Sequence, residues 1–140
     1  MRDNAIYKLV TAGLKKTEIR IELLSYLLEQ AHAISQPELE KAFHTLSDRV
    51  TIYRALSAFE EKGIVHKIID LQGTARYAIC NEKTCNDHHH QDEHIHFQCT
   101  NCNNVICLDE ISLPKLTIPS EFQVHKVNVQ LEGICKNCLH

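Results

Sequence analysis

The sequence contains no apolar run of about 18 residues, the length that a membrane-spanning helix needs. Its first residues, MRDNAIYKLV, lack the apolar core of a secretory signal peptide. Glycine and proline are scarce, with four and three residues in a chain of 140, which argues against long disordered linkers. We therefore expect a cytoplasmic globular protein built from one domain or two small ones.

An excess of positive charge is also missing, because the formal net charge is −3 at pH 7. A weakly acidic total is not typical of a non-specific nucleic-acid binder, although a sequence-specific dimer with a local basic face remains compatible with it. The acidic excess and all seven cysteines lie at or after residue 80, so the chain divides chemically there. In a reducing compartment, these cysteines are expected to be metal ligands or redox thiols rather than disulfides.

Apolar residues recur at helical spacing in three segments before that division, over residues 14–30, 35–44 and 47–63. Each segment begins beside a residue type that caps helices through a side-chain oxygen, and the last ends at a glycine suited to a C-terminal cap. The sequence therefore predicts three helices joined by short loops. The expected caps are Thr17, Ser35 and either Ser47 or Asp48, with Gly63 at the end of the third helix.

Residues 65–80, VHKIIDLQGTARYAIC, have the pattern of two short strands around a turn at Gln72 and Gly73. Three helices followed by a hairpin is the order of a winged helix-turn-helix domain, whose third helix reads DNA. Pure interaction modules share this order, so a solvated polar helix face is the alternative. The candidate DNA-binding residues are Lys15, Lys16, Arg20, Arg49, Thr51, Tyr53 and Arg54.

Two CxxC pairs, Cys99 with Cys102 and Cys135 with Cys138, supply four thiolates. Four cysteines form a closed tetrahedral zinc site of the structural kind. The segments between the pairs are β-like, so the ion would staple a domain too small to be robust alone. A redox dithiol is the weaker reading, because a thioredoxin-like motif needs one CxxC near a βαβ pattern that the sequence lacks.

A second group of potential metal ligands lies near the first CxxC pair in the sequence. His94 and His96 lie two residues apart on an expected strand, so both imidazoles face the same side. Cys107 ends the following strand, and Cys80 ends the wing hairpin. Two imidazoles with one or two thiolates favour zinc over iron or manganese, whereas buried thiols and surface histidines are the plain alternative. Further candidate ligands are Cys85, His88 and His90. The alternative for this segment is a solvated polar loop that binds no metal.

Four stretches, TIYRALSAFEEKGIVHKI, ARYAIC, HIHFQCTNC and GICKNC, carry a resemblance to a known family. Together they resemble the ferric uptake regulator (Fur) family of transcriptional repressors over nearly the whole chain. The resemblance implies a mixed α/β fold with a winged helix-turn-helix domain over residues 1–80 and a hinge and metal-binding loop over 81–93. A small α/β dimerisation domain with a four-cysteine zinc site would follow over residues 94–140.

The resemblance also implies roles for individual residues. The four CxxC cysteines match the structural zinc ligands, and His94 and His96 match a histidine pair in the regulatory site at the hinge. His32 lies close to where many members contribute another histidine to that site. Tyr53 and Arg54 match residues of the recognition helix that face DNA.

The chain departs from the iron and peroxide sensors of the family at two carboxylate positions. Cys107 stands at one of them and Ala78 at the other, with Cys80 two residues further along the same strand face. Because sulfur replaces oxygen, the chain is most similar to the zinc uptake regulators. Val127 stands where many members carry a late-strand histidine, and His125 comes two residues earlier, so an extra sensory site is not expected.

The sequence thus predicts a zinc-sensing, sequence-specific repressor of zinc-uptake genes, a non-enzymatic homodimer that binds Zn²⁺ and a palindromic double-stranded operator. An iron-responsive or peroxide-sensing repressor would need harder oxygen ligands. A metal-dependent hydrolase would need an open zinc site with a general base, for which Glu93 is the nearest candidate and has no nucleophile beside it. A zinc buffer without DNA binding would leave the TIYR helix unexplained.

Overall fold

The computed structural model describes residues 1–79, 95–108, 111, 114–125 and 127–139. Across these ranges, no helix has both the length and the apolar character required to cross a bilayer. The regular structure of the described residues consists of four helices and two three-stranded sheets. The elements are α1 (Arg2–Thr11), α2 (Glu18–Glu29), β1 (Ile34–Ser35), α3 (Gln36–Ala42), α4 (Arg49–Glu61), β2 (Val65–Ile69), β3 (Ala75–Ile79), β4 (Ile95–Cys99), β5 (Val105–Leu108) and β6 (Val129–Gly133).

Helices α3 and α4 begin at caps that the sequence predicted. The Ser35 hydroxyl accepts a hydrogen bond from the Glu38 backbone N–H at 3.3 Å. At α4 the cap is Asp48 rather than Ser47, since the Asp48 carboxylate accepts from the Thr51 N–H at 2.7 Å. These side chains satisfy backbone donors that have no partner inside a helix, which fixes where each helix starts.

Helix α1 was missed by the sequence prediction, because only Ala5 and Leu9 of its residues are buried. Both side chains pack into the first core, where α1 lies against α2. Helix α2 starts at Glu18, directly after the predicted cap residue Thr17, although the Thr17 side chain makes no capping hydrogen bond. The Arg2 guanidinium reaches from α1 to Glu18 at 3.1 Å and to Glu22 at 2.7 Å. These ion pairs are largely exposed and contribute little, so the buried apolar contacts hold α1 in place.

The hairpin of β2 and β3 forms the wing, and β1 adds a short third strand beside β3. The Asp70 carboxylate organises its turn by accepting from the backbone N–H groups of Gln72 and Thr74 and from the Arg76 guanidinium. Burial alone would raise the pKa of Asp70, but these hydrogen bonds to the charged form outweigh it and lower the pKa. Gly73 adopts a φ of 83°, which suits glycine. Hydrogen bonds among its own residues therefore stabilise the turn.

In the second sheet, β4 lies in the middle, antiparallel to β5 and parallel to β6. Within the described residues the helices of the mixed fold all belong to the first domain. Pro114 and Pro119 interrupt the stretch between β5 and β6, where each would remove a helical hydrogen bond. Of the β-like segment that the sequence predicts over residues 122–131, residues 122–125 lie outside β6, which begins at Val129.

The wing packs directly against the second sheet. The Ala33 N–H donates to the Val105 carbonyl at 2.7 Å and joins the two domains through the backbone. Ala33, Val105 and Ile68 are buried together, and Ala78 and Cys107 pack against them. This small apolar contact sets the recognition helix relative to the second domain.

Candidate metal centres and nucleic-acid interface

The four CxxC cysteines converge on one point. Their sulfur atoms all lie within 4.8 Å of one another, and the Sγ atoms of Cys102 and Cys135 are 3.9 Å apart. A tetrahedral ion with Zn–S bonds of about 2.3 Å would hold its sulfurs about 3.8 Å apart. The arrangement therefore fits a structural four-thiolate zinc site, as the sequence predicted.

Cys99 is the best prepared of these ligands. It ends β4 and is fully buried, and its Sγ accepts hydrogen bonds from the backbone N–H groups of Cys102 at 3.5 Å and Cys135 at 3.4 Å. These donors favour the thiolate and lower the pKa of Cys99 to about 6. The turn between Cys99 and Cys102 closes through Asn103, whose φ is 64°. The backbone thus aims two donors at the sulfur before any ion is bound.

The second CxxC pair is brought to the first by strand pairing. Cys99 lies beside Gly133 in the parallel ladder of β4 and β6, and the Thr100 N–H donates to the Gly133 carbonyl at 2.7 Å. Cys135 follows two residues later. The four-cysteine cluster therefore joins the ends of two neighbouring strands and the turn that contains Cys135 and Cys138.

Cys138 has the opposite protonation preference. A hydrogen bond with the Asn101 side chain favours the thiolate of Cys138 and lowers its pKa. A hydrogen bond with Cys135, together with burial of the thiol, has the opposite and larger effect, so the pKa is raised to about 11. Without a cation, the repulsion between neighbouring thiolates makes it unfavourable for all four thiols to ionise. Metal binding would therefore displace protons from the cluster, which makes the metal affinity depend on pH.

The regulatory site predicted from sequence is only partly within the described residues. His96 is buried on β4, and Cys107 on β5 is its direct partner in the antiparallel register, so both side chains lie on the same face. His32 and Cys107 line a cleft of about 550 Å³ between the domains. In the described part of the chain, only the four CxxC cysteines bring three or more ligand atoms together. The candidate residues named from the sequence that lie outside the described ranges are Cys80, Cys85, His88, His90, Glu93 and His94.

His66 is a candidate ligand that the sequence prediction did not include. It lies on β2, is only 5% exposed, and its ring centroid is 6.5 Å from that of His96 across the domain boundary. In the hairpin register it pairs with Ala78, the position where a carboxylate was expected in iron sensors. Pairing the two wing strands about their turn would have placed His66 on this face.

The N-terminal half of α4 presents the predicted DNA-binding side chains to solvent. The Arg49 side chain is 80% exposed and lies 3.3 Å from Glu40, while Tyr53 is 49% exposed. Thr51 and Arg54 are also exposed. Such a row of donors on the helix that follows a short turn suits base edges and phosphates.

Three further basic candidates lie around the start of α2. Lys15 and Lys16 are exposed in the segment before the helix. Arg20 is half-buried and its guanidinium donates to the Lys15 carbonyl at 3.3 Å, so it also holds this segment in place. Val50, an apolar residue 54% exposed on α4 beside Tyr53, was not among the predicted contacts. An exposed apolar side chain there suits a thymine methyl group.

A winged helix with an exposed polar recognition helix, joined to a sheet domain with a four-thiolate site, defines a metal-dependent DNA-binding protein. The sequence profile of the ferric uptake regulator family matches residues 11–134, and the chain belongs to that family. Members are metal-responsive DNA-binding transcription repressors.

Relatives with known names span nearly the whole chain. The ferric uptake regulation protein of Vibrio cholerae serotype O1 (strain O395) is 29% identical over 140 residues, which cover 90% of this chain and 87% of that protein. The Escherichia coli K12 protein of the same name is 29% identical over 142 residues, covering 92% and 90%. A zinc uptake regulator solved with zinc and DNA shares the fold, with a TM-score of 0.68 and 20% identity over 99% of this chain and 92% of that one.

Proposed function

We propose that the chain is a zinc-sensing repressor that controls zinc-uptake genes. The observation that carries the proposal is the direct pairing of Cys107 with His96 on the face that meets the wing. Sulfur and imidazole ligands favour zinc, whereas carboxylates favour manganese and other hard ions. Ala78, also on the wing side of this contact, offers no ligand atom. The described sulfur donor at the boundary, Cys107, therefore belongs to the second sheet, and the position opposite it on the wing has lost its carboxylate.

His66 and His96 would supply two ligands of the regulatory ion and Cys107 a third, with binding drawing together ligand atoms that do not converge in the described structure. Cys80 and His94 remain proposed ligands on the strength of the sequence, and His32 faces the neighbouring cleft as the further candidate. When bound, Zn²⁺ supplies a tetrahedral bridge between residues of the two domains. His66 belongs to the wing and His96 to the second sheet, so their joint ligation would fasten these two parts together.

That fastening explains how metal and DNA binding can be coupled. A ligand shifts a conformational equilibrium only through its different affinities for the two states. The site needs β2 and β4 side by side, so bound metal favours the arrangement in which the wing is docked on the second sheet. In a dimer, docking on both sides would fix the distance between the two recognition helices to match a palindromic operator.

An iron-responsive repressor is the second candidate, because the named relatives that cover most of the chain are ferric uptake regulation proteins. Iron sensing would need oxygen ligands that the described residues around His96 do not offer. These two relatives are 29% identical to the chain. Of the two carboxylate positions of the iron sensors, one is Cys107 here and the other is Ala78, and these two changes are sufficient to change the preferred ion. The ligand chemistry therefore favours zinc.

A titration with different metals tests this choice. Protein that retains its structural zinc and is stripped of other metal should bind an operator, selected from random duplexes, at lower free Zn²⁺ than free Fe²⁺ or Mn²⁺, as followed by fluorescence anisotropy. Cys107→Asp should shift this preference toward iron and manganese because it replaces sulfur with oxygen. Operator binding that responds to anaerobic Fe²⁺ and not to Zn²⁺ would favour the iron-responsive alternative.

Arg54 tests the proposed DNA face. Arg54→Ala should weaken operator binding about tenfold or more, because an arginine contact to a base edge or phosphate is lost. Lys62→Ala provides a control, since Lys62 ends the same helix α4 and is also exposed. Equal operator affinities of the Arg54 variant and the unchanged protein, at the same salt concentration, would contradict the assignment.

We also propose that the chain acts as a homodimer through its second domain. Apolar side chains lie exposed there, and Phe122 and Leu139 are each 69% exposed. Exposed apolar surface of this kind on a small domain usually marks an interface. Sedimentation velocity of the zinc-loaded protein should give a dimer at concentrations that bind operator, and a monomer under those conditions would contradict the proposal. Further exposed apolar residues of this surface are Leu116, Leu131 and Ile134.

A further inference from the structure

Gln98 is a buried amide at the boundary between the two domains. It lies on β4 with a side chain that is 1% exposed. Its Oε1 accepts a hydrogen bond from the Leu71 backbone N–H at 2.8 Å, and its Nε2 donates to the Gln72 side-chain carbonyl at 2.9 Å. A buried amide without partners is costly, so both hydrogen bonds matter to the docked arrangement. One side chain of the second domain thus holds the turn of the wing.

The turn that Gln98 holds is already ordered. Asp70 accepts from the backbone N–H of Gln72 at 2.9 Å and from the Arg76 guanidinium at 2.9 Å, and all these groups lie within or beside the same turn. The backbone partner of Gln98, the Leu71 N–H, therefore has little freedom to lose on docking. A preorganised partner makes each hydrogen bond more effective.

Gln98 and the proposed regulatory ligands join the same two elements. His96 lies two residues before Gln98 on β4, so both side chains face the wing. His66 meets His96 from β2, and the Gln98 contacts lie in the turn that ends β2. We propose that Gln98 is a positioning residue that latches the wing to β4 and stabilises the operator-binding arrangement that the regulatory metal also favours. The proposal rests on the regulatory site proposed above for the place where the metal acts.

The Gln98 hydrogen bonds and the regulatory metal both hold the wing against the second sheet, so their effects must be coupled. Loss of the Gln98 hydrogen bonds lowers the fraction of molecules with a docked wing, and the apparent metal affinity falls by the same factor. Saturating metal restores the docked fraction. The remaining described contact between the domains is small, centred on Ala33, Ile68 and Val105, so the loss of one latch is not masked by a large interface.

The substitution Gln98→Ala tests the latch in the full-length protein. Operator binding, measured by anisotropy, should be about tenfold weaker than in the unchanged protein at limiting free Zn²⁺, since two hydrogen bonds are lost. At saturating Zn²⁺ the two affinities should agree. Gln72→Ala, which removes one of the two partners, should give a smaller loss. Gln123→Ala is the matched control, because Gln123 is an exposed amide of the same domain that lies outside its strands.

Other outcomes would overturn the latch. A loss of affinity that persists at saturating Zn²⁺ would mean that Gln98 supports the fold, and no loss at limiting Zn²⁺ would mean that it does not hold the wing. If the unchanged protein shows no metal response, the proposed function fails separately. Hydrogen exchange of the Ala33 amide, which bonds to Val105 across the boundary, then decides the latch. Faster exchange in Gln98→Ala supports it, and unchanged exchange rejects it.

Discussion

Replacing Cys99 with serine is expected to remove the structural zinc and unfold the second domain. Cys99 accepts two backbone N–H hydrogen bonds that favour its thiolate and lower its pKa to about 6, so its sulfur is well prepared to bind an ion. Structural zinc sites in small domains bind with apparent free energies on the order of 10 kcal/mol. A three-stranded sheet with exposed apolar side chains has no comparable source of stability.

The measurement is zinc content per chain together with thermal unfolding. Cys99→Ser should lose about one zinc ion per chain and the cooperative unfolding of the second domain. In protein stripped of all metal except its structural zinc, Cys107→Ser is the matched control, because it removes a thiol of the same sheet outside the four-cysteine cluster and should keep both the structural zinc and the unfolding transition. A Cys99 variant that keeps its zinc and its melting temperature would show that the cluster is not the stabilising site.

Much of this centre could be predicted because its information is local. Each CxxC pair forms its own tight turn, as the hydrogen bond from the Asn103 N–H to the Cys99 carbonyl illustrates. The helix caps at Ser35 and Asp48 are local in the same sense, since each side chain bonds a backbone N–H three residues later. Spacing along the chain therefore specified both the four-cysteine site and the starts of α3 and α4.

The features that escaped prediction depend on contacts distant in sequence. His66 is an ordinary polar residue of a wing strand until β4 is packed beside it and brings His96 to 6.5 Å. Gln98 likewise reads as one polar residue beside Cys99, and its role depends on a turn 26 and 27 residues earlier in the chain. Helix α1 was missed for a different reason, because its short apolar face is sufficient only once α2 covers it.

The metal response itself is expected to disappear when either histidine of the domain boundary is removed. In His96→Ala and in His66→Ala, operator affinity should no longer rise when Zn²⁺ is added. Allosteric coupling of this kind is typically on the order of 5- to 150-fold, so the ratio of zinc-loaded to zinc-stripped affinity should fall from that range to about one. The structural zinc should remain, because neither histidine belongs to the four-cysteine cluster.

His125→Ala is the matched control, because His125 is an exposed histidine of the second domain. If His66 and His96 hold one ion, removing both should cost no more metal response than removing one, since residues that act on a single ligand are not additive. If His66→Ala keeps the full zinc response while His96→Ala loses it, His66 is not a ligand of the regulatory ion. Other residues would then have to connect the wing to the ion. Loss of the response in the double variant alone would mean that each histidine can be replaced by a neighbour. That result would make the regulatory site more adaptable than the fixed pairing of His96 with Cys107 implies.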